Sequence, residues 1–213
     1  MKETIVKRPY HSPLRKAQAE ATRSKVLDSA LRLFARHGYA ATTIAEIARE
    51  AGVVPETVYA IFRTKRAIID GLIADAAPPE VLASMQEGWA SKTGDPAAQL
   101  AFLARFGTTF WARNDTLAAV FRQGTGDVDI GDEWSKRQTA RRAGFAAAIA
   151  GWPAEVLRPN LSRDRAADVI WALASEELFH LLVRERGWSV PRFRQWLTDA
   201  LRREVLADPP APA

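Results

Sequence analysis

Hydrophobic residues recur every three or four positions along nearly the whole chain, and no segment shows the sustained two-residue alternation that is typical of a strand. This pattern predicts an all-α protein. In the first third of the chain it predicts four helices, over residues 22–36, 44–51 and 55–62 and from residue 65 to the pair Pro78 and Pro79.

Residues typical of helix ends set the bounds of these helices. Gly38 suits the left-handed residue that follows a helix C-terminus, and Gly52 suits the same place after the second helix. Thr43 and Glu46 match a capping box, in which the Thr43 hydroxyl accepts from the Glu46 amide and the Glu46 carboxylate reaches back. Pro55 stands at the first position of the third helix, where proline is tolerated. The second and third helices are therefore predicted to be short and joined by a tight turn.

Beyond the proline pair, the chain has the pattern of a second region of long helices, the last two predicted over residues 163–186 and 191–206. Segments that contain Gly and Pro provide the candidate breaks between these helices. The predicted organisation is a flexible basic arm (1–19), a small helical domain (20–77), a larger helical domain (78–207) and a disordered tail (208–213).

The positive charge of the chain is concentrated at its N-terminal end. Residues 1–66 contain 13 Lys and Arg against 6 Asp and Glu, whereas residues 67–213 contain 17 against 19. A basic segment joined to a neutral body is typical of proteins that bind a polyanion. A solvated basic tail is the alternative that charge alone leaves open.

The composition excludes several classes of site. The chain has no cysteine, which excludes disulfides, thiolate metal sites and cysteine nucleophiles. Its apolar runs are far shorter than the roughly 20 residues that span a bilayer, and its basic N-terminus lacks the apolar segment of a signal peptide. We therefore expect a soluble, cytoplasmic protein without a membrane partner.

Two short helices joined by a tight glycine turn form the pattern of a helix-turn-helix, whose second helix enters the major groove of DNA. By itself this pattern is moderately specific, because many helical corners contain glycine. Its surroundings make it more specific, since one helix precedes it, another follows it, and all lie in the basic third of the chain.

The segment LFARHGYAATTIAEIAREAGVVPETVYAIFRTKRAIIDGLI, residues 33–73, resembles the DNA-binding domain of the TetR family of bacterial transcriptional regulators. The resemblance rests on residue types in matching order and spacing. The residues that carry it are Phe34, Gly38, Tyr39, Thr42, Thr43, Ile47, Ala48, Ala51, Gly52, Val53, Thr57, Val58, Tyr59, Phe62 and Lys65. Past residue 80 the resemblance is one of architecture and length only.

The resemblance implies a helix-turn-helix DNA-binding domain followed by a larger helical domain that binds a small-molecule effector and forms a homodimer. It implies a regulator, most commonly a repressor, that binds a palindromic operator in double-stranded DNA and is released by its effector. By motif position, it assigns phosphate contacts to Thr42, Thr43, Tyr59 and Lys65, and a face toward the major groove to Pro55, Glu56, Thr57 and Ala60. Arg23, at the first helix near the basic arm, is a further candidate DNA contact.

Two positions at the start of the third helix leave alternatives open. The family often has Ser or Thr where this chain has Val54. Because valine cannot accept from the first amides of the helix, a phosphate against the helix N-terminus is one way to satisfy them. The Glu56 carboxylate either accepts from a cytosine amino group or only favours the helix dipole.

Aromatic residues in the second region suggest a pocket for an apolar or aromatic effector, although aromatic stripes at helical spacing are more often core. The candidate ligand-binding residues are Trp89, Phe102, Phe106, Phe110, Trp111, Phe121 and Trp171. The last two long helices are apolar enough either to complete their own core or to pair with a partner chain. The candidate dimer-interface residues are Ile170, Leu173, Phe179, Trp196 and Leu197.

An all-helical enzyme is the alternative from another class, and a helical interaction protein that does not bind DNA is a third. Glu177 and His180 form a Glu-x-x-His pair like those of di-iron bundles, but a second copy is missing. The sequence contains no nucleophile elbow, P-loop or dinucleotide fingerprint. We therefore expect no enzymatic activity, no cofactor and no metal.

Overall fold

The computed structural model describes residues 13–208, and the predictions for residues 1–12 and 209–213 lie outside this range. The described helices are α1 (Pro13–His37), α2 (Ile44–Ala51), α3 (Pro55–Phe62), α4 (Lys65–Ala76), α5 (Pro79–Ala90), α6 (Pro96–Arg113), α7 (Asp115–Gly124), α8 (Val128–Ile149), α9 (Arg163–Leu173), α10 (Glu176–Phe179) and α11 (Val190–Val205). A 3-10 turn covers Ala154–Val156, and α10 continues into a π-type turn over His180–Glu185.

The described range is all-α, as predicted. Its only extended pairing is a single antiparallel bridge between Leu157 and Leu206. Within residues 13–208, every helix is either too short or too polar to cross a bilayer. The chain divides into two compact units between Ile73 and Ala74, inside α4. We call them the N-terminal unit and the C-terminal unit.

The first helix is longer than predicted. It begins at Pro13 rather than at residue 22, so residues 13–19, expected to belong to an irregular arm, are helical. Proline is tolerated in a first helical turn, and the residues that follow are mostly good helix formers. The helix ends at His37, and Gly38 adopts the predicted left-handed conformation with φ of 81°.

The N-terminal unit packs α1, α2 and α3 around one core. Its fully buried side chains include Val26, Leu27, Ala30, Phe34, Ile47, Ala48, Val58, Ile68 and Ile69. On the surface, Glu50 of α2 pairs with Arg32 and Arg36 of α1, with N–O distances of 3.4 and 3.3 Å. The supporting helix α1 thus holds the helix-turn-helix through both a core and an ion-pair cluster.

The C-terminal unit is built on α6, α9 and α11, with α8 packed on α9. Its core includes Leu100, Leu103, Ile149, Trp152, Ile170, Phe179, Phe193, Leu197, Leu201 and Val205. The Trp152 indole donates to the Gln99 side chain at 2.7 Å, so this buried polar pair satisfies itself inside the core.

The helix predicted over residues 163–186 is interrupted. Ser175 takes an extended conformation and caps the start of α10 by accepting from the Leu178 amide. The carbonyls freed by the break are satisfied from α8, because the Arg141 guanidinium donates to Trp171 and Ala174, both at 3.0 Å. Burial lowers the pKa of Arg141 to about 10. An arginine from another helix therefore makes this break possible, and local periodicity does not reveal it.

Candidate nucleic-acid interface

The start of α2 is fixed by the predicted capping box. The Thr43 hydroxyl accepts from the Glu46 amide at 3.2 Å, and the Glu46 carboxylate accepts from the Thr43 amide at 2.8 Å. The Thr43 hydroxyl also donates to the same carboxylate at 2.8 Å. These bonds hold the pKa of Glu46 below its usual value, with the backbone hydrogen bond as the main cause. The capping box is confirmed.

The turn between α2 and α3 follows the sequence prediction closely. Gly52 adopts φ of 69°, and its amide donates to the carbonyl of Arg49. The next amide, of Val53, donates to the carbonyl of Ala48 at 2.9 Å. Pro55 begins α3, and the preceding Val54 provides no side-chain cap, as expected for valine. These bonds close the C-terminus of α2 and orient α3.

One face of α3 is free of the core. Pro55 and Tyr59 lie one helical turn apart, as do Glu56 and Ala60, and all four are exposed in the N-terminal unit. Tyr59 is 52% exposed, which is unusual for a large aromatic side chain on a folded domain. Thr57 is half-buried at the edge of this face. We call Pro55, Glu56, Thr57, Tyr59 and Ala60 the α3 face.

Two residues predicted to contact phosphates, Thr42 and Lys65, form hydrogen bonds within the N-terminal unit. Thr42 is only 2% exposed, and its hydroxyl donates to the carbonyl of Gly38 at 2.8 Å. The Lys65 ammonium donates to the carbonyls of Tyr39, Ala40 and Thr42, at 2.9, 3.3 and 3.1 Å. Since an ammonium has three N–H donors, these bonds leave none directed at a phosphate.

Sequence reasoning missed that Lys65 holds the loop between α1 and α2. Its ammonium lies 4.2 Å from the centroid of the buried Tyr39 ring, which gives a cation–π contact in addition to the three hydrogen bonds. The only sequence signal was the pair itself, a tyrosine after the first helix and a lysine at the start of α4. Nothing in its spacing indicated a contact.

Thr43 and Arg23 lie at the margins of the candidate interface. Thr43 is exposed, but its hydroxyl already donates to Glu46, so a phosphate contact would have to replace that bond. The Arg23 guanidinium carbon lies 5.6 Å from the centroid of the Phe62 ring. This contact fixes the arginine stem against the end of α3.

We expect Thr43→Ala to destabilise the N-terminal unit by about 1 kcal/mol, because the substitution removes a helix N-cap.

Glu46→Gln keeps a side chain that can complete a capping box but removes its charge. Because the native pKa of Glu46 lies below its usual value, the charged form stabilises the folded state above the unfolded pKa. That contribution is lost as the pH falls.

Denaturation of wild type and Glu46→Gln between pH 7 and pH 3 tests this sign. The stability difference between the two proteins is expected to shrink steadily as the pH falls. A difference that stays constant over this range would contradict the assigned role of the carboxylate.

The structure groups the candidate effector residues only in part. Along α6, the Phe102, Phe106 and Phe110 rings follow one another at centroid distances of 6.0 and 6.4 Å, and Trp111 meets Phe110 edge-on at 5.0 Å. The other three candidates contact different partners. Trp89 stacks on Trp152, Phe121 on Trp134, and the Trp171 indole donates to Gln138.

The candidate dimer-interface residues fall into two groups. Ile170, Phe179 and Leu197 are buried in the core of the C-terminal unit, where their side chains have no surface to offer a partner. Leu173 and Trp196 are half-buried at its margin. Only the second group keeps surface available for a dimer contact, which stays a prediction.

Comparison with known proteins first concerns the N-terminal unit. Residues 26–72 match the family model described as bacterial regulatory proteins, tetR family. The HTH-type transcriptional regulator SrpR of Pseudomonas putida is 36% identical over 63 residues, which cover 30% of each chain. The HTH-type transcriptional regulator AcrR of Shigella flexneri is 44% identical over 50 residues, which cover 24% of this chain and 23% of AcrR. The matched part thus spans less than a third of either curated relative.

Solved structures extend the likeness to the fold of most of the chain. NalD of Pseudomonas aeruginosa, described as the secondary repressor of the MexAB-OprM multidrug efflux pump, superposes with a TM-score of 0.70. It is 20% identical, and the match covers 89% of this chain and 98% of NalD. SmeT in complex with triclosan gives a TM-score of 0.68 at 19% identity, over 91% of this chain and 100% of SmeT. The N-terminal unit therefore contains the DNA-binding segment of the tetR family of bacterial regulatory proteins, and most of the chain shares the fold of NalD and SmeT.

Proposed function

We propose that the protein is a transcriptional repressor that binds a palindromic operator in double-stranded DNA as a homodimer. In this proposal the α3 face enters the major groove, and a small apolar or aromatic effector bound by the C-terminal unit releases the protein from DNA. The single observation that carries the proposal is the exposed α3 face, presented by a helix whose other side is locked into the core by Val58 and Phe62.

The chemistry of the α3 face suits a DNA groove. Tyr59 offers a hydroxyl for a phosphate oxygen, and such contacts fix register without reading sequence. Ala60 and Pro55 offer small apolar surfaces of the kind that contact a thymine methyl group. The Glu56 carboxylate can accept from a cytosine amino group. The basic excess of residues 1–66 supplies the long-range attraction for the polyanion.

A dimer follows from the symmetry of operators. Two recognition helices about 34–36 Å apart, one DNA turn, read a palindrome whose half-sites mirror the two-fold axis of the protein. We assign the pairing to the partly exposed side chains of Leu173 and Trp196. Repression is in line with NalD, which is described as a repressor.

The effector is assigned to the aromatic stripe of Phe102, Phe106, Phe110 and Trp111. The last three of these side chains are half-buried, so their rings keep surface that an apolar molecule can cover. SmeT has been solved with triclosan, a finding about that protein that favours an aromatic ligand for this one. An effector acts only through its different affinities for the DNA-bound and free states.

Selection of bound duplexes from a random DNA pool tests the proposed function. We expect enrichment of one palindromic sequence and footprint protection that is symmetric about its centre. Recovery of unrelated sequences after repeated rounds, with no common motif, would contradict it.

A further inference from the structure

Three side chains that can bind metal meet in the C-terminal unit. Asp115, Glu176 and His180 each offer one ligand atom, and these atoms lie within 4.8 Å of one another. Asp115 is the first residue of α7, whereas Glu176 begins α10 and His180 begins the π-type turn that follows it. Because Glu176 and His180 are four positions apart on one helical segment, they share a face. π-Type turns of this kind occur frequently at functional sites.

Each of the three side chains is held by an outer partner. Asp115 Oδ2 lies 3.1 Å from the Arg184 Nε, and the Glu176 Oε1 accepts from the Arg122 guanidinium. His180 Nε2 lies 3.3 Å from the Glu185 carboxylate. Histidines that bind metals usually donate their second ring N–H to a carboxylate in this way, which fixes the tautomer and the ring orientation.

The other polar atom of each side chain is buried without a hydrogen-bond partner. These atoms are Asp115 Oδ1, Glu176 Oε2 and His180 Nδ1. Glu176 is 1% exposed, so water cannot easily satisfy its free oxygen. A buried polar atom without a partner is costly. Three such atoms in one cluster suit a ligand that accepts electron pairs.

We propose that Asp115, Glu176 and His180 bind a divalent first-row transition-metal ion of the Zn²⁺ type. One imidazole nitrogen and two carboxylate oxygens suit such ions better than Mg²⁺ or Ca²⁺, which prefer oxygen ligands alone. Three protein ligands leave the remaining coordination positions to water. The proposal goes beyond DNA binding and the aromatic effector, neither of which requires an ion here.

Metal binding would link two helical segments of the C-terminal unit through one ion. Zinc–ligand distances of about 2.0–2.2 Å require ligand atoms roughly 3.0–3.5 Å apart, whereas those of the cluster lie within 4.8 Å. A side-chain adjustment of about 1 Å closes this difference. Because Asp115 belongs to α7 and the other two ligands to the α10 segment, the bound ion would link these segments directly.

Titration of the full-length protein with Co²⁺ and Zn²⁺ tests the site. The chain has no cysteine and, besides His180, only His11 and His37, so few other side chains compete for these ions. We expect one Co²⁺ per chain with visible d–d absorption, displaced by Zn²⁺. At a free Zn²⁺ concentration of about 100 Kd, we expect the Tm to rise by roughly 5–10 °C. A Tm that Zn²⁺ leaves unchanged would overturn the proposal, as would equally tight binding of Mg²⁺.

Matched variants separate this site from surface binding. Asp115→Asn and His180→Gln are each expected to weaken Zn²⁺ binding at least 30-fold, and Glu185→Gln, which touches only the outer histidine nitrogen, by about 10-fold. Glu177→Gln, an exposed carboxylate on the same helix, and His37→Gln serve as controls and are expected to bind as wild type. Circular dichroism without metal shows whether each variant folds. Unchanged binding in both ligand variants would overturn the proposal, and none of these measurements involves DNA.

Discussion

Lys65→Met is expected to lower the free energy of unfolding of the N-terminal unit by about 2–3 kcal/mol. The substitution keeps an apolar stem of similar length but removes the ammonium, which donates to three carbonyls and contacts the Tyr39 ring. A net hydrogen bond to a charged group contributes about 1.5–3 kcal/mol. The predicted loss for all three hydrogen bonds is close to the value of one such bond, because Lys65 is half-exposed and solvent screens its charge.

The affected carbonyls belong to the loop between α1 and α2, so this loss should loosen the helix-turn-helix first. All seven tryptophans of the chain lie beyond Ala74. Tryptophan fluorescence therefore reports the C-terminal unit alone, and hydrogen exchange of α2 and α3 reports the N-terminal unit. We expect faster exchange in α2 and α3 with an unchanged fluorescence transition.

Lys16→Met is the matched control. The Lys16 side chain is 82% exposed and pairs only loosely with Glu20, at 3.9 Å on the same helix. Its loss should change stability by less than about 0.5 kcal/mol. Equal exchange rates in Lys65→Met and Lys16→Met would show that Lys65 does not hold the loop.

Ala60→Glu is expected to lower affinity for the selected operator about 100-fold or more without unfolding the protein. Ala60 is exposed on α3, and glutamate is nearly as good a helix former as alanine. In the groove, however, the new carboxylate would lie close to negatively charged phosphates, and such a like-charge juxtaposition costs several kcal/mol at an interface. Fluorescence anisotropy with a labelled duplex measures the change.

Ala147→Glu provides the control for the added charge. Ala147 is exposed on α8 in the C-terminal unit, and the same substitution there adds the same charge to the chain. We expect its effect on operator affinity to stay within about threefold, since separated surface charges are screened beyond about 8–10 Å. If the two variants bind equally well, α3 is not the helix that enters the groove.

The helix-turn-helix was predictable because its signals are local. The hydroxyl and carboxylate that cap α2 belong to residues three positions apart, Gly52 ends the helix through its own φ, and Pro55 starts the next helix by its ring. Each of these effects acts within one helical turn. A single sequence therefore contains all the information that they need.

The remaining features depend on contacts between distant residues. Lys65 reaches back 23 to 26 positions to the loop before α2, and Arg141 reaches forward 30 and 33 positions to the break after α9. Periodicity does not encode such contacts. For the same reason, periodicity left open whether Ile170, Phe179 and Leu197 belong to a core or to a dimer interface, and the structure buries all three within the C-terminal unit.

The metal-binding cluster illustrates the same limit. In the sequence, His180 forms a Glu-x-x-His pair with Glu177, three positions earlier. The structure instead turns Glu177 outward and brings Glu176 and the distant Asp115 to the histidine. The break at Ser175, supported by Arg141, starts a new helix at Glu176 and so fixes which face these residues share.

The most direct test of the central claim, that the α3 face reads DNA, is operator affinity measured across salt concentrations for wild type and Ala60→Glu. We predict that wild type binds the selected palindrome at least 10³-fold more tightly than a scrambled duplex. We also predict that log affinity falls steeply and linearly with log salt, and that Ala60→Glu loses the preference for the palindrome. Equal affinity of wild type for both duplexes, or a preference that survives in Ala60→Glu, would contradict the claim.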